Sequence, residues 1–213
     1  VIHIAADPMY TMVPVRGFPA DSSLTCPADI AFRCLLPVMA EHAKGAKDKI
    51  ARRKDKITAA HQELEEGWRA KLEREKDQSP ISPAYISHCL NNLRDPDTIM
   101  VKESPLMGQY IDIDRPGTML NAGAASGLGH GMGVALGAQL AAPDKLVIGT
   151  EGDGAYMFNV PVSCHYVAAE QNLPILWVVF NNQHWQAVHR STMGLTPDGY
   201  AAKANRQPLT HFT

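Results

Sequence analysis

The sequence predicts an α/β fold, a largely parallel sheet flanked by helices and preceded by a charged helical linker. Three observations carry this reading. Short apolar, β-branched runs ("TIMVKES", "KLVIGT", "PILWVVF") alternate with segments of helical character, the pattern of right-handed βαβ units. Two of those runs end in polar clusters, "EGDG" and "NNQHW", at the strand ends where parallel sheets place their ligands. Upstream, residues 41–77 form the sharpest shift in composition, with both signs of charge interleaved.

In chain order, "VIHI" reads as a strand, and Pro8, Pro14, Pro19 and Pro27 make the next segment extended and loop-like. Ala28 to about Ala40 is apolar at helical spacing, with Pro37 expected to break or kink it. In the charged stretch, Ile50, Ile57, Leu64, Trp68 and Leu72 form a narrow apolar stripe on one or two solvated helices. "QSPI" is turn chemistry, and "SPAYISHCLNNL" is an amphipathic helix with Ser82 as N-cap and Pro83 at its first position. A strand follows in "TIMVKES", then a glycine-rich loop running into a helix across "LNAGAASGLGHGMGVALGAQLAA". "KLVIGT" is a second strand, "YMFNVPVSCHYVAAEQN" a helix and "PILWVVF" a third strand.

Composition bounds the function. The 213 residues, 45% hydrophobic, can bury a full core. A formal charge of −2 gives no general electrostatic reason to bind nucleic acid or an anionic membrane. "KDKIARRKDK" is followed by acidic residues without interleaved aromatics, which speaks against a nucleic-acid patch. The longest apolar runs are too short to span a bilayer, and the N-terminus lacks the features of a signal peptide, so a cytoplasmic protein is expected. Cys26, Cys34, Cys89 and Cys164 are scattered without a CxxC pair and read as reduced thiols.

Several glycine motifs fail on spacing. Starting from Gly127 and Gly129, or from Gly129 and Gly131, the third position of GxGxxG is Met132 or Val134, and neither a P-loop nor a GxSxG elbow occurs. The loop glycines fit either phosphate contact or tight turns, whereas Gly133 and Gly137 fit helix packing. "EGDG" and "FNN" explain each other better. Asp153 ends a strand between Gly152 and Gly154, and Gly154 and Ala155 open a helix whose N–H groups favour a phosphate. An anion beside a carboxylate calls for a cation between them. Mg²⁺ suits hard oxygen ligands, and Asn182 with a carbonyl just beyond it can add to the Asp153 carboxylate.

Gly152-Asp153-Gly154, followed a little under thirty residues later by Asn181-Asn182 at a strand end, resembles the signature of thiamine diphosphate (ThDP) enzymes. "SGLGHGMGVALGAQLAAPDKLVIGTEGDG" is similar to the acetolactate synthase, benzoylformate decarboxylase and benzaldehyde lyase group, and the likeness runs from about Ser82 to near Arg190. The resemblance implies a ThDP-binding fold in which Asp153, the Asn182 side chain and the His184 carbonyl bind Mg²⁺. Gly154 and Ala155 would donate N–H groups to the diphosphate, and Ser104 would reach the same group, although Pro105 departs from the usual pattern there. Leu128 matches the bulky apolar residue on which the cofactor folds, and the Ser126 carbonyl would face its 4′-amino group. Ala187 and Val188 would line the substrate pocket, with the small Ala187 leaving room for a larger acyl group.

The resemblance further implies action on a small-molecule 2-oxo acid, by decarboxylation or acyl-carbanion transfer to a carbonyl acceptor. Acetolactate synthase-like and benzoylformate decarboxylase- or benzaldehyde lyase-like readings both remain, beside a cofactor-binding fragment without turnover. The catalytic glutamate of the family sits on a pyrimidine-binding domain, and none is assigned here; Glu103 and Glu151 are not substitutes. Residues 1–40 would end a central domain, 41–80 form the linker and 81–213 the diphosphate-binding domain, truncated at its C-terminus. The chain is thus expected to be part of a larger polypeptide or one subunit of a split enzyme, in a homodimer or homotetramer. FAD and the physiological substrate are not marked in the sequence.

Overall fold

The computed structural model describes residues 1–8, 19–103, 105–121 and 127–204. The chain divides into two compact units, Val1–Glu65 and Glu66–Thr213. In the first, β1 (Ile2–Ala5) pairs in parallel with β2 (Ser22–Thr25), and α1 (Ala28–Lys44) follows. The expected "VIHI" strand is there, but β2 falls in the segment expected to be loop; at four exposed residues it is too short to show a period. Pro37 does not end α1, which runs unbroken to Lys44. The hydrogen bond that Pro37 forfeits is to the carbonyl of exposed Arg33, where water can replace it. The charged stretch forms α2 (Lys47–Glu75), which has no buried residue and crosses the boundary between the units. No helix among the described residues is long and apolar enough to cross a membrane.

The second unit is built from α3 (Pro83–Leu93), β3 (Ile99–Glu103), β4 (Met119–Asn121), α4 (Gly131–Ala141), β5 (Val147–Gly152), α5 (Asp153–Phe158), α6 (Pro161–Glu170), β6 (Ile175–Phe180), α7 (Gln186–Leu195) and α8 (Tyr200–Ala204). The Ser82 hydroxyl caps α3 by accepting the Tyr85 N–H at 3.1 Å, as the sequence predicts. Its strands form a fully parallel sheet in the order β4-β3-β5-β6. The chain leaves β3 for β4 on one side and then crosses to β5 on the other, so the strand order reverses between β3 and β5. Loops diverge at such a point and open a crevice beyond the carboxyl ends of the strands.

Period-two alternation sends Ile99, Val101 and Val147 against Ala135 of α4, while Met100, Ile148 and Phe180 pack with Leu90, Leu106 and Ile111 on the opposite face. Each of these side chains except that of Ala135 contributes roughly 1.5–3 kcal/mol of burial. Gln139, fully buried, donates Nε2 to the carbonyls of Ala142, Pro143 and Lys145 at 3.1–3.4 Å and closes the turn from α4 to β5. Two elements differ from expectation. β4 is a three-residue edge strand inside the segment read as glycine-rich loop. The helix expected from Tyr156 is two helices, parted at Asn159 and Val160, with Val160 at φ +51° ahead of Pro161. Proline disfavours α-helical backbone in the residue before it, so the chain turns there.

The same alternation places Glu103 and Glu151 on the α4 face as partners in the last rung between β3 and β5. Both are buried, at 5% and 0% exposure. Like charges cannot both persist side by side out of water. Burial, reinforced by the neighbouring Glu103, pushes the Glu151 carboxyl up to about 9. Burial also opposes ionisation of Glu103, but the Asn159 amide and the N–H groups of Gly131 and Gly129 outweigh it and hold that carboxyl below its ordinary value. Glu103 is therefore the carboxylate of the pair and Glu151 the acid.

Ser82→Ala should cost about 1 kcal/mol in urea unfolding through loss of the α3 cap. Folded Glu151 keeps a proton that the unfolded chain loses above 4.5. Native stability should therefore fall as pH rises between 4.5 and about 9, by at most about 1.4 kcal/mol per pH unit. Glu151→Gln, which has no proton to lose, should flatten that slope in urea titrations at pH 5.5 and 8.5 with chelator present; an unchanged slope would contradict the assignment.

Candidate functional site

The carboxyl ends of β5 and β6 meet in the way the paired motifs require. Gly152 pairs with Phe180 in the last rung of the two strands, and the chain turns from there into Asp153 and Asn181. The Asp153 carboxylate then bridges the two strand ends directly: Oδ2 accepts the Gln183 N–H at 2.6 Å and Oδ1 accepts the Gly154 N–H at 2.8 Å. Asn182 Oδ1 accepts the His184 N–H at 2.9 Å, and Asn181 Oδ1 accepts that of Gln183 at 3.2 Å. Gln183 takes φ +57° to make this reversal. The result is a tight loop, held by its own asparagine side chains and tied to Asp153 through the Gln183 N–H.

The donor set suits a hard cation. Asp153 Oδ1 and Oδ2, Asn182 Oδ1 and the His184 carbonyl, which accepts the Gln186 N–H at 2.9 Å, are oxygens that each accept a backbone hydrogen bond, and an oxygen of this kind carries two lone pairs. Among the described residues no group of three His, Cys, Asp or Glu side chains stands ready for a metal. A thiolate- or imidazole-rich site is not what these loops present, whereas one carboxylate with amide and main-chain oxygens is the chemistry of Mg²⁺. The residues present fit the ion. Gly154 and Ala155 are buried in the first turn of α5, and the backbone at Gly154 is approached so closely by the Trp185 ring that a Cβ there would lie 2.6 Å from it. Trp185 also meets Phe158 edge to face at 5.4 Å, which docks the start of α7 on α5.

The other sequence-predicted positions fall as follows. Ala187 and Val188 lie on the first turn of α7, both exposed. Leu128 stands half exposed on the turn before α4. Ser104 and Ser126 lie outside the described residues. The loop beyond β3 is held farther on, where Ser87 Oγ accepts the Met107 N–H at 3.0 Å and donates to the Pro83 carbonyl at 2.7 Å.

Sequence reasoning missed the polar hub behind the site. Glu103 Oε1 accepts the Gly129 N–H at 2.5 Å; Oε2 accepts the Gly131 N–H at 2.7 Å and Asn159 Nδ2 at 3.0 Å. Asn159 Oδ1 accepts the Met132 N–H at 2.9 Å, while its Nδ2 also reaches the Ala155 carbonyl at 2.8 Å and Glu151 Oε2 at 3.3 Å. The first N–H groups of α4 are thus satisfied from within. Of the two readings left for the glycines around it, the turn and packing reading holds at Gly129 and Gly131, whose N–H groups serve Glu103 rather than a phosphate. Gly129 needs its glycine for φ +88°, and a Cβ on Gly131 would lie 2.3 Å from Glu151 Oε1. The available signal was two glutamates at strand ends with the same parity.

Comparison with known proteins identifies the family and the fold. The sequence model of the family described as thiamine pyrophosphate enzyme, C-terminal TPP binding domain, matches residues 103–211. Acetolactate synthase of Arabidopsis thaliana, a chloroplastic protein, is 28% identical over 130 residues, covering 55% of this chain and 19% of that protein. Benzoylformate decarboxylase of Pseudomonas aeruginosa is 32% identical over 117 residues, covering 53% of this chain and 22% of that protein. A solved thiamine diphosphate-dependent 4-hydroxybenzoylformate decarboxylase from Rhodococcus jostii superposes with a TM-score of 0.53 at 27% identity, over 62% of this chain and 24% of that one. The chain spans about a fifth of the length of the curated relatives it matches. With a family match over half its residues, laid on a parallel sheet of the expected kind, the chain belongs to the thiamine pyrophosphate enzymes and carries their C-terminal cofactor-binding domain.

Proposed function

We propose that this chain is the diphosphate-binding part of a ThDP- and Mg²⁺-dependent, acetolactate synthase-like enzyme acting on a 2-oxo acid. The observation that carries the reading is the Asp153–Gln183 hydrogen bond, which joins the two strand ends into one oxygen-lined clamp. Asp153, Asn182 and the His184 carbonyl hold Mg²⁺, and the Gly154 and Ala155 N–H groups, opened by Gly152, serve the diphosphate, Gly154 exchanging its bond to Asp153 Oδ1 for the ligand. Ser104 and the Ser126 carbonyl complete the cofactor contacts. When bound, ThDP supplies an electron sink for decarboxylation and acyl transfer. The chain's own residues bind and orient it, and Ala187 and Val188 border the reacting carbon.

Residues 81–213 form this domain, after a central-domain end over 1–40 and a linker over 41–80. The activating glutamate comes from a pyrimidine-binding domain of the same polypeptide or of another subunit, in a homodimer or homotetramer. The exposed apolar side chains of Met157 and Phe158 on α5, Val160 at the break and Val162 on α6 support a covering partner on this side. A benzoylformate decarboxylase- or benzaldehyde lyase-like reaction is the second reading, favoured by the small Ala187 and by the likeness to two aryl 2-oxo acid decarboxylases.

Asp153→Ala should abolish binding of Mg²⁺-ThDP in calorimetry while leaving the circular dichroism spectrum unchanged; retained affinity would overturn the clamp. Turnover of a panel of 2-oxo acids, measured with the pyrimidine-binding domain present, should show decarboxylation. Preference for pyruvate supports the first reading and preference for benzoylformate the second.

A further inference from the structure

We propose that Glu103 is a positioning residue, which accepts the N–H groups on either side of His130 to freeze the Gly127–Gly131 turn and hold Leu128 out as a rigid support for the cofactor's rings. The inference rests on the ThDP reading above and adds to it a residue outside the cofactor's contacts.

The turn is fixed from three sides. Glu103 takes the Gly129 N–H on one oxygen and the Gly131 N–H on the other. His130 Nδ1 lies 2.9 Å from the Gly127 carbonyl and 3.4 Å from Glu103 Oε1. Gly129 is pressed on the end of α5, where a Cβ would come within 2.7 Å of the Phe158 carbonyl. Yet Leu128, the second residue of the turn, is 52% exposed. The turn is tied to Glu103 at the carboxyl end of β3, so a rigid, exposed leucine stands at the end of the sheet where the crevice opens. Preorganisation of that kind lowers the cost of ordering a binding surface when the ligand arrives.

The chemistry requires a carboxylate. Both oxygens of Glu103 must accept, one from Gly129 and the other from Gly131 and Asn159. An amide at this position sets an NH₂ group against an N–H on one side. The diphosphate clamp has its own hydrogen bonds, from Gly154 and Gln183 to Asp153, and none of them runs through Glu103. The two parts of the site are therefore separable by experiment.

Calorimetry with two probes, Mg²⁺-ThDP and Mg²⁺-pyrophosphate, reads ring support and clamp apart. Glu103→Gln should weaken ThDP about tenfold or more and leave pyrophosphate within about twofold. Leu128→Ala should do the same, and the double variant should be no weaker than the worse single one, because Glu103 acts through Leu128. Equal loss for both probes, no loss for either, or additive losses in the double variant would overturn the proposal. If Glu103→Gln does not fold, His130→Ala loosens the same turn from a partly exposed ring and should lower the ThDP-to-pyrophosphate affinity ratio by a smaller factor; an unchanged ratio overturns it. Failure of the unsubstituted protein to bind either probe would instead sink the ThDP reading, and this inference with it.

Discussion

Two glutamates facing each other across β3 and β5, away from water, set the constraint on which the site is built. The register puts them side by side, and desolvation forbids two charges there. One becomes an acid and the other a carboxylate that must find donors. Those donors are the Gly129 and Gly131 N–H groups and the Asn159 amide, so the glycine turn and the α5–α6 junction are both drawn in toward the sheet. The left-handed Val160 lies at the junction that turns Asn159 inward.

This arrangement also separates two helix starts that look alike in sequence. Both α4 and α5 follow glycine-rich stretches, and either might have offered its N–H groups to a phosphate. At α4 they are consumed by Glu103 and Asn159, leaving a closed, structural terminus. At α5 the first residue is itself the carboxylate that reaches across to the next loop. Among the described residues the open end of the sheet thus has a polar clamp at β5 and β6 and an exposed leucine, Leu128, on the turn before α4. A ligand with a charged tail and a flat heterocyclic head matches that division.

Membership in the thiamine pyrophosphate enzymes rests on the match over residues 103–211 and on the parallel sheet. The reaction is a separate matter, because the chain covers about a fifth of its relatives' length and their names span acetolactate synthesis and benzoylformate decarboxylation. Nothing in the clamp distinguishes those chemistries. What differs between them must lie around the acyl group, to which Ala187 and Val188 at the exposed start of α7 are assigned by the proposal above.

The sequence by itself determined the fold class, the positions of β3, β5 and β6, the Ser82 cap and the pairing of "EGDG" with "FNN". Hydrophobic period, capping residues and motif spacing are local properties, carried by neighbours along the chain. It did not determine β2 or β4, whose three or four residues are too few to show a period, nor the break at Val160. Only the tertiary structure decided that Glu103, Glu151 and Asn159 share one buried hub, because that depends on which strands pair and in what register. The energies that make one glutamate an acid, and direct the Gly129 and Gly131 N–H groups to the other, arise from burial and through-space contacts between residues far apart in the chain.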